Sequence, residues 1–126
     1  MTEQPATRPA DTQRQRRGHD FYPPTTVAAA IPPLYGTEDT PTVDKVLHLR
    51  YFAAAGDWWI AEYDPGTGTA LGYACLGDPD CAEWGYLDLP ELEQVNVRSG
   101  LLIVERDLHW TATRTADAGL PGANAT

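Results

Sequence analysis

Val43-Asp44-Lys45-Val46-Leu47-His48-Leu49-Arg50-Tyr51-Phe52, a Gly56-Asp57 pair, and then Trp58-Trp59-Ile60-Ala61-Glu62-Tyr63 together decide the fold. Leu47, Leu49 and Tyr51 recur at period two on one face. His48 and Arg50 fall on the other, which Val46 and Phe52 make partly apolar. That alternation predicts a strand with one face in a core. The Gly-Asp pair supplies a turn, the aromatic run after it favours β-structure, and Asp64-Pro65-Gly66 stops it. The pair reads as an antiparallel hairpin.

Working downstream, Ala70 to Leu76 predicts a third strand, with Gly72 marking a bulge or a close backbone approach. Gly77-Asp78-Pro79-Asp80 turns the chain into a fourth strand, Glu83 to Leu87. Asp88 stands where an N-cap belongs, with Pro90 in the first turn and Glu91 three residues on, so Leu89 to Val95 reads as a short capped helix. Leu89, Leu92 and Val95 are its sheet-facing side. After Ser99-Gly100, the run from Leu101 to Trp110 predicts a long fifth strand. Upstream, Pro23-Pro24 and Pro32-Pro33 confine Thr25 to Ile31 to at most two helical turns. The expected class is α+β, mainly an antiparallel sheet of about five strands with one or two short helices.

The chain has 126 residues, enough for one modest core. Every aromatic residue lies between Phe21 and Trp110, while both ends are rich in Ala, Thr, Pro and Gln. The expected organisation is a disordered polar tail over residues 1–20, a single domain over 21–113 and a flexible tail over 114–126. Charge is uneven. The net −9 divides into +1 over residues 1–20 and −10 over the rest, the wrong sign for a body that grips a phosphate backbone. No apolar run suits a signal peptide or a membrane span, so a cytoplasmic chain with no membrane contact is expected. Cys75 and Cys81 are too few for a disulfide framework, and whether they pair is left open.

Acid/base chemistry needs carboxylates or imidazoles that converge. The candidates are Glu83, Glu105, Asp107, His109 and His48. Glu105, Asp107 and His109 share one face of the expected last strand, which is also how a solvated strand face looks. Cys75, Asp78, Asp80 and Cys81 surround one turn but offer only two soft ligands, so no metal and no cofactor is expected. Trp58, Trp59, Trp84 and Trp110 suit a core better than a base-stacking platform, which would need a basic groove. Arg14, Arg16 and Arg17 would make only a weak, salt-sensitive nucleic-acid tether. Arg106 should leave its strand on the face opposite Glu105 and Asp107, drawn inward to a structural ion pair with Glu62 or Glu83. The chain has no phosphate-binding GxxxxGK[ST], GxSxG elbow or HExxH pair. That leaves a binding module ahead of an enzyme.

Several of these stretches together resemble a known family. They are Ile31-Pro32-Pro33-Leu34-Tyr35-Gly36-Thr37-Glu38, the strands at Lys45 to Phe52 and Trp58 to Asp64, and Leu71-Gly72-Tyr73. Glu83-Trp84-Gly85-Tyr86-Leu87-Asp88-Leu89-Pro90-Glu91-Leu92 and the terminal Glu105-Arg106-Asp107-Leu108-His109-Trp110 complete the set. The sequence resembles the bacterial proteins grouped as domain of unknown function 2958 over about residues 31–110. The resemblance implies an accessory protein of a plasmid, phage or conjugative element and brings no catalytic residues with it.

The expected function is a non-enzymatic acidic module that binds a basic protein, with interference in a host nucleic-acid-binding or defence protein as one version. Its expected contact surface is Glu83, Trp84, Tyr86, Glu91, Glu93, Glu105, Asp107 and His109. The alternative is a small metal-assisted hydrolase or nucleic-acid-processing enzyme using Glu83, Glu105, Asp107 and His109. Edge strands and surplus aromatics also allow a homodimer.

Overall fold

A computed structural model of the chain describes residues 9–54, 56–97 and 102–122. Its strands are β1 (Val46–Leu47), β2 (Leu49–Ala53), β3 (Gly56–Tyr63), β4 (Thr69–Cys75), β5 (Glu83–Asp88), β6 (Glu105–Arg106) and β7 (Thr113–Arg114). The helices are α1 (Arg14–Arg17), α2 (Thr25–Ala30) and α3 (Leu89–Glu93). Five strands form one antiparallel sheet in the order β5-β4-β3-β2-β6, and β1 pairs with β7 beside it. The class is α+β, and the hairpin, meander and capped helix stand where the sequence places them.

Both faces of the sheet are covered. On one, Leu49, Tyr51, Trp58, Ile60 and Tyr63 pack with Phe21, Tyr22, Ile31, Leu89 and Val104. On the other, Leu47, Trp59, Ala61, Tyr73 and Cys75 pack with Ala82, and Trp84, Trp110 and Leu120 lean on them. The strands therefore cannot follow one simple alternation. His48 N–H donates to Ile60 O at 2.7 Å, and Leu49 pairs with the same residue, so the chain inserts a residue there. Leu47 is thereby turned to the face opposite Leu49 and Tyr51, against the expectation that all three share one side.

A second irregularity falls between Ile60 and Glu62, opposite Gly72 and Leu71. The extra residue, Ala61, goes to the second face, and Tyr63 returns to the first. Gly72 is required by this geometry. A Cβ there would collide with the Trp59 carbonyl oxygen.

The long last strand is not formed. Leu102 bridges to Val97, Val104 is buried in the first cluster, and only Glu105 and Arg106 pair with β2. The Asp107 carboxylate then accepts His109 N–H at 2.9 Å, and Trp110 N–H reaches Asp107 O at 3.3 Å. This local turn overrides the β-propensity of the run. The expected Ser99-Gly100 turn, and the start of the run at Leu101, lie outside the described residues.

Both flanks dock on the body. Phe21 and Tyr22 are fully buried, and Phe21 N–H donates to the Asp11 carboxylate at 2.8 Å across the boundary expected after residue 20. Burying each large side chain stabilises by roughly 1.5–3 kcal/mol. Phe21, Tyr22 and Ile31 are thus enough to hold a segment that composition marks as polar. At the other end, Tyr73 Oη donates to Pro121 O at 2.6 Å. Residues 1–8 and 123–126 of the expected tails lie outside the described residues.

Candidate functional site

The eight surface candidates divide between opposite edges of the sheet. Glu83, Trp84 and Tyr86 are on β5, Glu91 and Glu93 follow on α3, and Glu105 is on β6 with Asp107 and His109 just beyond. Four strand spacings, roughly 19 Å, separate β5 from β6. Glu83 therefore does not share a pocket with Glu105, Asp107 and His109, as the metal-assisted alternative requires. Among the described residues there is no group of three or more His, Cys, Asp or Glu side chains placed to hold a metal ion. Cys75 is buried and Cys81 exposed, both as free thiols. A hydrogen bond to Asp78 at 3.5 Å helps push the Cys81 thiol up.

Glu93 lies inside the molecule, not on its surface. It is fully buried and accepts from Thr12 Oγ1 at 2.8 Å, Gln13 N–H at 3.0 Å and Arg17 Nη1 at 3.2 Å. Arg17 also donates to the carbonyls of Val104 and Glu93, pairs with Asp11, and lies over the Phe21 ring. The buried arginine that sequence reasoning sought at position 106 is thus Arg17. Arg106 is half-buried and donates to Asp20 O at 3.2 Å. Glu62 is committed elsewhere, and Glu83 is exposed on the far edge. Of the three arginines of the imagined tether, Arg17 is buried and Arg14 pairs with Asp20, beside an open cleft of about 600 Å³ lined by Asp11 to Arg16.

At the β6 edge the carboxylates have partners within the fold. Arg50 Nη1 reaches Asp107 at 3.1 Å and its Nη2 reaches Asp57 at 2.5 Å, while His19 Nε2 stands 3.2 Å from Glu105. His109 is exposed on the turn. The β5 side differs: Glu83 and Glu91 are exposed and make no ion pair among the described residues, and Glu38 and Asp39 are exposed on the loop nearby. Trp84 is half-buried against Tyr73, at 5.6 Å between ring centroids.

That loop is held by Glu62, whose partner sequence reasoning missed. Through the registers Glu62↔Leu71 and Leu71↔Tyr86, these three side chains form a row across β3, β4 and β5 on the second face. The buried Glu62 carboxylate accepts Tyr35 N–H at 2.8 Å, Thr37 N–H at 3.0 Å and the Thr37 hydroxyl. Lys45 Nζ donates to Thr37 O at 2.5 Å and Thr37 Oγ1 at 2.8 Å. So held, Tyr35 adopts φ 67°, a conformation rare for a bulky residue and sustained only where the surroundings enforce it. Its ring stays 62% exposed and leans on Tyr86, itself 56% exposed, at 5.9 Å. The Tyr86 hydroxyl is pushed up by lost solvation, by the charge and hydrogen bond of Tyr35, and by Glu62 and Glu38. The result is a rigid, exposed tyrosine pair in an acidic setting.

Comparison with known proteins adds a family and no activity. The profile of the family described as "Protein of unknown function (DUF2958)" matches residues 34–124. The chain belongs to DUF2958. No curated protein matches it, and no solved structure does. The DUF2958 match takes in Tyr35, Glu62, β5 and Glu93 but begins after Arg17, Phe21 and Tyr22, so the segment that neutralises Glu93 lies outside it. No helix among the described residues is long and apolar enough to cross a membrane.

Proposed function

We propose that this DUF2958 protein is a non-enzymatic module that binds a basic protein through the β5 side of its sheet. In this reading it serves a plasmid, phage or conjugative element, and its target is a host nucleic-acid-binding or defence protein. The observation that supports the reading is the asymmetry of charge. Asp107 is ion-paired with Arg50 and Glu105 is hydrogen-bonded to His19 within the fold, whereas Glu83 and Glu91 stand exposed at the β5 end of the sheet, which also carries the exposed Tyr35–Tyr86 pair on its second face. Tyrosines present large contact area at low entropic cost, and unmatched carboxylates favour a cationic partner.

Purification of the tagged chain from a bacterial host at low and then moderate salt tests this reading. A stoichiometric basic partner should be retained by Glu105→Lys/Asp107→Lys and lost by Glu83→Lys/Glu91→Lys. Recovery of the chain alone, or a partner indifferent to the β5-side charges, would overturn it.

A further inference from the structure

Tyr35 holds a backbone conformation that its own side chain opposes. At φ 67° a bulky L residue is crowded, and a glycine would sit there without strain. The hydrogen bonds that fix the loop run from Tyr35 N–H and Thr37 N–H to the buried Glu62 carboxylate. At position 35 that bond uses only a backbone donor, which any residue except proline supplies. The ring itself gains little burial, since 62% of the residue is exposed. Strain kept without a gain in packing points to what the ring meets in solvent.

The surroundings specify the chemistry of that contact. Tyr86 stands 5.9 Å from Tyr35 between ring centroids, with the planes inclined at 54°, and is itself 56% exposed. Both rings therefore keep surface for a third group. The Lys45 ammonium is buried and donates to Thr37 O and Thr37 Oγ1, where it offsets the charge of Glu62. Glu38 and Asp39 remain as exposed acids on the same loop, with no ion pair among the described residues.

We infer that the Tyr35–Tyr86 pair is a cation site that takes one arginine side chain of the basic partner, its guanidinium over the ring faces and its edge toward Glu38. The inference rests on the binding-module reading and names the residue that the module recognises. A planar guanidinium stacks on aromatic faces while donating in its own plane to a carboxylate, which a lysine ammonium cannot do. An anion would meet the negative faces of two rings beside two acids and is disfavoured. Glu62 and the Thr37–Lys45 contacts already fix the loop, so little freedom is lost on binding. Charge argues against a second copy of this chain as the occupant, because each copy carries a net −9.

The test uses the full chain and synthetic peptides of Gly, Ser and Thr with one central Arg, Lys or citrulline, the last an uncharged isostere of arginine. Binding is read from chemical shifts titrated at low salt. The Arg peptide should shift Tyr35, Tyr86 and Glu38, and should bind about threefold tighter than the Lys peptide and at least about tenfold tighter than the citrulline peptide. Tyr86→Phe keeps the ring and should hold affinity within about twofold, whereas Tyr86→Leu keeps only apolar bulk and should lose about fivefold. Glu38→Gln should lose about threefold. Tyr35→Gly separates recognition from folding: it relieves the strain and removes the ring, so the thermal midpoint should match or exceed that of the parent while Arg affinity falls about fivefold.

Equal affinity for the Arg and citrulline peptides, shifts that spare the pair, or full Arg affinity in Tyr35→Gly would each overturn the inference. A clearly lowered midpoint in Tyr35→Gly would assign the ring to packing and overturn it too. Self-association that shifts the same resonances would give the pair to a second copy, with the same consequence. A captured basic partner indifferent to Tyr86→Leu would overturn the inference and leave the module reading standing. Arg-peptide binding at the pair with no partner captured would sustain the site and overturn the module reading alone.

Discussion

Arg17 Nη1 stands 3.2 Å from Glu93 Oε2, with both side chains wholly buried and the two residues 76 positions apart in the chain. The pair ties the N-terminal segment to the helix that follows β5. Taking two charges out of water is costly, and here Glu93 is met by Thr12 and Gln13 as well, while Arg17 reaches two carbonyls and Asp11. The arrangement stands because its donors and acceptors are matched.

Removing one partner should cost far more than the pair contributes. Arg17→Met leaves a buried carboxylate without its cation and is expected to lower unfolding free energy by about 3–5 kcal/mol. The double variant Arg17→Met/Glu93→Met should recover much of that loss. Urea unfolding at neutral pH measures both, and a single-variant cost under about 1 kcal/mol would show the pair to be solvated and the segment loosely attached.

Tyr22 tests the same region from the apolar side. Its hydroxyl is buried and has no hydrogen-bond partner among the described residues, and burial, then the Glu93 charge, pushes the group far above the ordinary phenol range. Tyr22→Phe removes an unsatisfied polar atom and keeps the ring against Phe21. Stability should rise by about 1 kcal/mol. A loss of similar size in thermal unfolding would reveal a partner for the hydroxyl.

Gly72 is the most restrictive position in the sheet. A methyl group there meets the Trp59 carbonyl of the neighbouring strand, which is rigid backbone. Gly72→Ala should cost about 1–3 kcal/mol, although alanine is the better strand residue by conformational entropy alone. A neutral substitution in denaturant unfolding would mean that β3 relaxes away from β4 at the bulge.

The legibility of this chain follows the range of the forces involved. Turns at Asp64-Pro65-Gly66 and Asp78-Pro79, the Asp88 cap, and the special role of Gly72 are local, so residue identity announces them. The inserted residue at His48 is not local. It arises because both sheet faces are buried, and a period-two pattern assumes that one is wet. Glu93 was legible as an acid in the last turn of a helix but not as a buried one, because its partners Thr12, Gln13 and Arg17 come from a segment whose composition points to disorder. One signal was present: Phe21-Tyr22 must be buried somewhere, and burying them brings the preceding arginines onto the body. For the site, Tyr86 and Glu83 were visible as exposed candidates. Tyr35 was not, because its position depends on Glu62 across 27 residues.

His48 gives a test in pH. It is half-buried where the inserted residue breaks the first strand, and burial lowers its imidazole below the ordinary value of 6.5. The neutral ring is therefore favoured in the native state, and the unfolded chain takes up the proton first as pH falls. This contribution to stability is fully present above about pH 6.5 and is lost as pH falls through the native value, at no more than about 1.4 kcal/mol per pH unit. His48→Gln removes that dependence without placing a charge at the site. The difference in unfolding free energy between the parent chain and the variant should thus shift against the parent as pH falls below about 6.5, the ordinary imidazole value. Carboxylate titration at lower pH affects both chains alike and cancels in the difference. Parallel curves below about pH 6.5 would show that the imidazole reaches solvent and that the strand break is open.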